Sequence, residues 1–311
     1  MTGIRPTDMY DILVAGEINP DLILTGDVNP AFNQVEKMVD SAVLSVGSSS
    51  AIFACGAARL GLKVAFIGIC GDDTFGRFMI DEMKKRRVNV DHIIIRKDGA
   101  TGMSVILNQV SDRAILTYPG LIGALSSEDI PDTLLRQCKH LHVASYFLQT
   151  RLQNGLPELF SHAHDLGMTT SLDTNYDPTE KWVGFDDLLA VTDVFLPNAT
   201  EALSITGSKN VECASKQLAE RSRLVAVKLG AQGALAYGQN TLFHSSSIPV
   251  KVVDTVGAGD SFDAGFLYGF LDTWPVDRSL ELGCICGALS TRQAGGIAGQ
   301  PSLREAMKYV S

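Results

Sequence analysis

Asp254-Thr255-Val256-Gly257-Ala258-Gly259-Asp260-Ser261-Phe262-Asp263-Ala264-Gly265 gathers glycines, carboxylates and a helix start into one short stretch. The residues before it, Ile248 to Val253, are almost all apolar and β-branched and read as a strand. After it, Phe262, Phe266, Gly269 and Phe270 recur at helical spacing. A strand, a glycine turn and a helix in that order aim backbone N–H groups at one point, backed by the positive end of the helix dipole. Such a place binds anions. Asp260 would repel a resting phosphate there, so its presence is better explained as that of a catalytic base. The same residues also make a plain capped turn, because Asp and Ser often cap helices. This stretch alone leaves both readings open.

Working back along the chain, Leu224 to Leu229 reads as a strand with Lys228 near its end, followed by Gly230-Ala231-Gln232-Gly233 and a β piece at Ala234 to Tyr237. From Ser126 onward, helices alternate with strands at His140 to Ala144, Met168 to Leu172 and Val194 to Leu196, which is βαβ winding. Polar residues follow those strands: Asp173-Thr174-Asn175-Tyr176-Asp177 after one, Asn198-Ala199-Thr200-Glu201 after the next. The first strand, Tyr10 to Ala15, gives way in the same manner to Gly16-Glu17-Ile18-Asn19-Pro20-Asp21. Ligand groups therefore collect beyond the carboxyl ends of the strands, where parallel sheets bind ligands. Asp21 and Asn19 are suited to hold hydroxyl groups, or to close an Asx turn.

Leu22 to Val46 is broken into short apolar pieces by Gly26, Asp27, Asn29 and Pro30, and reads as a β excursion. Gly47 and Ser48 to Ser50 then open a helix of small residues, either approaching a ligand closely or capping it. Val64 to Ile69 is a further strand, with a helix from about Thr74 to Arg87. His92 to Arg96, Met103 to Asn108 and Ala114 to Tyr118 are short strands forming a second β patch beside Leu22 to Val46. The fold class expected is α/β: one doubly wound, mostly parallel sheet flanked by helices over residues 1–311. A small β-sheet lid is inserted from about 18–46 and 92–118.

Composition narrows the function. With 26 Lys and Arg against 35 Asp and Glu, the formal net charge of −9 argues against a nucleic-acid or acidic-membrane surface. Met1 to Met9 has no apolar core of leader length, and no stretch reaches the length of a membrane helix, so a cytoplasmic protein is expected. The six cysteines include no CxxC pair, and Cys284 and Cys286 are too close along a helix to clip a metal; reduced, buried thiols are expected. The histidines have no HExxH spacing, and His140 and His142 read as structural. GxxxxGK[ST], the third glycine of a dinucleotide fingerprint, and GxSxG are all absent.

Read in order, these motifs resemble the phosphofructokinase-B (PfkB, ribokinase-like) carbohydrate kinase family over nearly the whole chain. Gly16 to Asp21 is similar to its first sugar-binding turn, and Gly47 to Gly61, with Arg59-Leu60-Gly61, to its glycine-rich segment. Asp173-Thr174-Asn175 with Trp182 is similar to its middle motif, Asn198 to Glu201 to its NxxE motif, and Asp254 to Gly265 to its C-terminal signature. The resemblance implies an ATP-dependent kinase in which Asp260 takes the proton of an acceptor hydroxyl. The amides of Gly257, Ala258 and Gly259 would stabilise the transferring phosphoryl group. Asn198 and Glu201 would organise Mg2+ through water, although Asn and Glu at this spacing also form a helix cap. Lys228, which stands where many relatives carry threonine, would line the nucleotide with Gly230 and Gly233. Residues around Gly287 to Gly296 would add contacts. Asp254 would mark a monovalent-cation (K+) site.

Two departures bear on the acceptor. Ile52 stands where sugar kinases place a hydroxyl-binding asparagine, and Asp177 replaces the arginine of the usual DxNxR pattern. Loss of that arginine disfavours an anionic acceptor. A neutral sugar is expected, held by Asp21, Asn19, Gly47 and Ser48. A nucleoside is the alternative, and a catalytically silent binding protein is a different class. In relatives the lid often pairs subunits, so a homodimer is also implied.

Overall fold

The computed structural model describes residues 9–109 and 113–311; most of the stretch read for a leader lies outside them. The chain opens with β1 (Ile12–Ala15), β2 (Pro20–Thr25), β3 (Ser41–Val46) and α1 (Ser49–Leu60). β4 (Val64–Ile67), β5 (Ile69–Gly71), α2 (Thr74–Lys85), β6 (Ile94–Arg96), β7 (Met103–Asn108) and β8 (Arg113–Tyr118) follow. Regular winding then runs through α3 (Asp132–Leu135), β9 (His140–Val143), α4 (Leu156–Asp165), β10 (Thr169–Leu172) and α5 (Asp186–Ala190). It continues through β11 (Val194–Phe195), α6 (Ala199–Thr206), α7 (Val211–Ala219) and β12 (Leu224–Lys228). A hairpin of β13 (Ala234–Gly238) and β14 (Thr241–Ser245) leads to α8 (Ala258–Leu271), α9 (Val276–Ser290) and α10 (Leu303–Ala306).

Eight strands form one sheet in the order β14-β13-β12-β11-β10-β9-β1-β4. It is parallel from β4 to β12, and β13 and β14 extend it antiparallel. Successive residues of β1 feed opposite cores. Ile12 and Val14 pack with Phe53 of α1, Phe266 of α8 and Ile285 of α9, whereas Leu13 and Ala15 pack with Phe160, Leu188 and Leu218. Continuous apolar strands are what a sheet covered on both faces requires. Phe53 and Phe266 are fully buried, and truncating either to Ala costs about 3–5 kcal/mol. His140 and His142 are buried as well, linked through the Ser171 hydroxyl at 2.7 Å on each side. Burial pushes both imidazoles down to about 3, so they are neutral structural groups.

A second sheet has the order β3-β2-β7-β8. The strand expected in it around His92 to Arg96 is instead β6, which pairs with β5 in a separate two-stranded sheet. The apolar run Val64 to Ile69 breaks at Gly68, where a Cβ would lie 2.4 Å from the Gly16 carbonyl oxygen. The chain leaves the large sheet there, and β5 offers its edge to β6.

Ile248 to Val253 forms no strand. β14, not foreseen from sequence, holds the sheet edge, and Pro249 lacks an N–H to donate to a ladder. The segment instead runs as a cavity wall, joined to the end of α9 by Val253 N–H donating to Thr291 O at 2.8 Å.

All six cysteines are free; Cys213 is exposed, and the other five are buried. Burial pushes the thiols of Cys55 and Cys138 up to about 12 and those of Cys70 and Cys284 up to about 11, with Cys286 raised further. Among the described residues, no helix is long and apolar enough to cross a membrane.

Candidate active site

The polar residues expected beyond the strand ends do meet, around the first turn of α8. Gly257 is its N-cap, at φ 72, and no side chain caps the helix. A Cβ on Gly257 would lie 2.8 Å from both the Gly296 carbonyl oxygen and Ile52 Cγ2, so only glycine fits the turn. Neither Asp260 nor Ser261 is the cap. Of the amides expected to form an anion hole, that of Ala258 points at Thr255 O at 3.3 Å. Asp260, 8% exposed, hydrogen-bonds the Ser49 hydroxyl. Burial first, then the negative charge of Asp173, push its carboxyl up to about 8, against the pull of Lys228. A carboxyl poised near neutrality is the group a general base requires.

Asp21 is the second residue of β2 and lies against Gly47, where a Cβ would overlap its Oδ1 at 2.2 Å. Asn19 Nδ2 donates to the same oxygen at 3.5 Å. Burial pushes Asp21 up to about 7, while the charge of Arg113 draws it down. Ser48, expected to bind substrate or to cap the helix, does form the cap. At φ 63 its Oγ donates to Glu17 O at 2.7 Å and accepts from Ala51 N–H at 3.0 Å, capping α1. The neighbouring Ser49 hydroxyl is the one turned towards Asp260 and Asn175. Asn175, oriented to donate to both Asp173 oxygens at 3.1 Å, accepts from Ser145 Oγ at 3.0 Å.

The two departures from the family pattern prove structural. Ile52 is buried beneath Gly257 and Gly296. Asp177 turns into its own loop, accepting from Thr179 N–H and Oγ1, Lys181 N–H and Trp182 N–H at 2.8–3.0 Å. Burial raises its carboxyl, but these donors hold it below the usual carboxylate range.

Asn198 and Glu201 form a reciprocal capping box on α6. Asn198 Oδ1 accepts from Glu201 N–H at 3.0 Å, and Glu201 Oε2 accepts from Asn198 N–H at 2.9 Å. Burial and Asp173 push Glu201 up to about 7. Lys228, expected to line the nucleotide, lies on the wall of a cavity with Gly230 and Gly233, and its Nζ donates to Asp173 Oδ2 at 2.8 Å and to Asp263 Oδ1 and Oδ2 at 3.1 and 3.0 Å. Its partners lie far along the chain, so spacing gave no sign of them. Asp254 joins two loops, with Oδ1 accepting from Val256 N–H at 3.0 Å and Oδ2 from Gly295 N–H at 2.9 Å. Glu17 was not singled out from sequence. It is fully buried behind the site and accepts from Ser50 N–H at 3.2 Å and Ser145 Oγ at 3.0 Å.

Two cavities flank this cluster. One, of about 560 Å³, is mainly apolar and is walled by Gly230, Gly233, Val250, Phe262, Gly287 and Thr291. The other, of about 760 Å³, lies between the second sheet and the loop before α8, with Asp40, Asn108, Gln109 and Arg113 on its wall. Thr255 borders both.

The pfkB family carbohydrate kinase model matches residues 9–303. An uncharacterised sugar kinase of Archaeoglobus fulgidus is 31% identical over 253 residues, covering 79% of this chain and 98% of that protein. The 2-dehydro-3-deoxygluconokinase of Bacillus subtilis is 29% identical over 273 residues, 83% of this chain and 84% of its own length. A solved structure of an Escherichia coli protein assigned as ribokinase II, with ATP and Mg2+, superposes with a TM-score of 0.86. It is 25% identical, over 97% of this chain and 99% of that one. The fold is therefore ribokinase-like. With the family model spanning nearly all of the described residues, the chain belongs to the pfkB family of carbohydrate kinases.

Proposed function

We propose that this kinase moves the γ-phosphoryl group of ATP to a hydroxyl of a small sugar, with Asp260 as the base. The observation that carries the reading is the position of Asp260. It is a buried carboxyl raised to about 8 in the first turn of an uncapped helix, whose Ala258 and Gly259 line one cavity and whose preceding Thr255 borders both. The apolar cavity suits a nucleobase and ribose, with Gly230 and Gly233 giving backbone close access; the more polar cavity, walled by Asp40, Asn108 and Arg113, suits the acceptor. Asp260 takes the hydroxyl proton while the amides of Gly257 and Gly259, with the helix dipole, face the charge on the phosphoryl group. Base catalysis of this kind contributes about 10²–10⁴-fold.

Mg2+ fits the residues at Asn198 and Glu201. Glu201 is a hard oxygen donor in a desolvated place, and its raised carboxyl would be lowered by a cation held through water. Bound there, the ion would neutralise phosphate charge. Asp254 retains lone pairs for a monovalent cation, and comparing rates in K+ and in tetramethylammonium buffers checks that role. The second sheet serves as a lid that excludes water from the acceptor. Its exposed Val43, Leu44, Ile115, Leu116 and Tyr118 are the surface on which a homodimer would form.

A neutral sugar is the acceptor favoured by the burial of Asp177 in its own loop, which leaves no arginine at that position. Arg113, on the wall of the acceptor cavity with its charge acting on Asp21, favours a second reading, an acidic sugar. Relatives named for phosphorylating deoxygluconates fit that reading. ADP formation measured with ATP and Mg2+ over neutral sugars, sugar acids and nucleosides decides among them. Turnover of none of these would sink the kinase assignment.

A further inference from the structure

We infer that Lys228, with Asp173 and Asp263, is a positioning group that fixes the placement and the charge of Asp260; this rests on the assignment of Asp260 as the base. Three elements meet at one ammonium. Lys228 ends β12, Asp173 follows β10, and Asp263 lies three residues beyond Asp260 on α8, on the same helix face. Both carboxylate side chains are 1% exposed and the lysine side chain 12%. The bonds of 2.8 and 3.0 Å therefore tie the start of α8, one turn beyond Asp260, to the ends of two strands of the large sheet from within. The lysine stem also runs against that turn: a Cβ built on Gly259 would stand 3.7 Å from both Cδ and Nζ.

Charge makes the arrangement necessary. Oxygen atoms of Asp173, Asp260 and Asp263 all lie within 4.8 Å of one another, all buried. Three carboxylates at such range suppress one another's ionisation unless a cation is held among them. The Lys228 ammonium is that cation, bonded to two of the three and leaving Asp260 unbonded to it, and so free to accept a proton. The charged groups acting on Asp260 are Asp173 from the β10 loop, Lys228 from β12 and Glu17 from the β1 loop, and Asp260 in turn helps to raise the buried carboxyl of Asp263 on its own helix. Lys228 is the cation among them.

The test follows the carboxyl of Asp260 by 13C NMR in protein labelled at aspartate carboxyl carbons, its resonance identified by loss in Asp260→Asn. Lys228→Met is expected to move the midpoint up by about one to three pH units. Asp173→Asn removes the largest repelling charge and is expected to move it down, and Lys228→Arg to leave it near wild type. The acid limb of kcat/KM against pH should move in the same directions. If Lys228→Met does not fold, the downward displacement in Asp173→Asn and the near wild-type midpoint in Lys228→Arg decide the matter. A midpoint unchanged in folded Lys228→Met, or an upward shift in Asp173→Asn, would overturn the inference. The NMR reading needs no turnover, so a wild-type enzyme that phosphorylates no acceptor would count against the kinase assignment and not against this one.

Discussion

At the scale of single residues, the site depends on where one hydroxyl and two carboxyls are allowed to stand. Asp260→Asn is expected to lower kcat by about 10²–10⁴-fold with nucleotide binding retained, measured by calorimetry with an ATP analogue. A base raised to about 8 is protonated below that pH, so kcat/KM should climb as pH rises and level off above it. A profile flat from pH 6 to 9 would contradict the assignment. Gly47→Ala puts a methyl group where Asp21 Oδ1 now lies, and displacement of that carboxyl should raise the acceptor KM by about tenfold to a hundredfold. Asp260 and Gly257 were legible in the sequence because a glycine turn entering a helix is a local pattern. The choice between Ser48 and Ser49 was not, because it depends on a backbone angle, φ 63 at Ser48, that turns one hydroxyl onto the helix and leaves the next for the site.

At the scale of elements, α6 shows a residue pair with two readings that coexist. The capping box is present, so Asn198→Ala should cost about 1 kcal/mol and lower the melting temperature by a few degrees. If Glu201 also holds Mg2+ through water, the same variant should need more Mg2+ for half-maximal rate, because the amide that steadies the carboxylate is gone; an unchanged requirement would leave only the cap. The βα units after Ser126 could be read from sequence because each strand and its helix are neighbours in the chain. Ile248 to Val253 could not be told from a strand. Apolar, β-branched residues line a cavity wall as readily as a sheet, and only the edge position taken by β14 separates the two. Ile94–Arg96 went astray for a similar reason: its partner was set by the break at Gly68, not by its own composition.

At the scale of the molecule, both cavities and the second sheet converge on the loop before α8, and Asp254 fastens that loop to Gly295. In the proposed homodimer the solvent-facing β8, with Ile115 and Leu116 exposed, would supply the contact surface. Leu116→Lys should leave the melting temperature nearly unaltered in dilute protein and shift sedimentation to the monomer; a wild-type monomer at high concentration would remove the dimer reading. One further property comes with the fold. A single thiol, Cys213, meets solvent, while five are enclosed with their ionisation suppressed. In the native protein a thiol-specific alkylating reagent should therefore add once and quickly, and each later addition should wait for the interior to open. Counted by mass against time, the enclosed thiols act as internal clocks, and their slowing when nucleotide is added would measure how firmly the occupied cleft holds the two halves of the chain together.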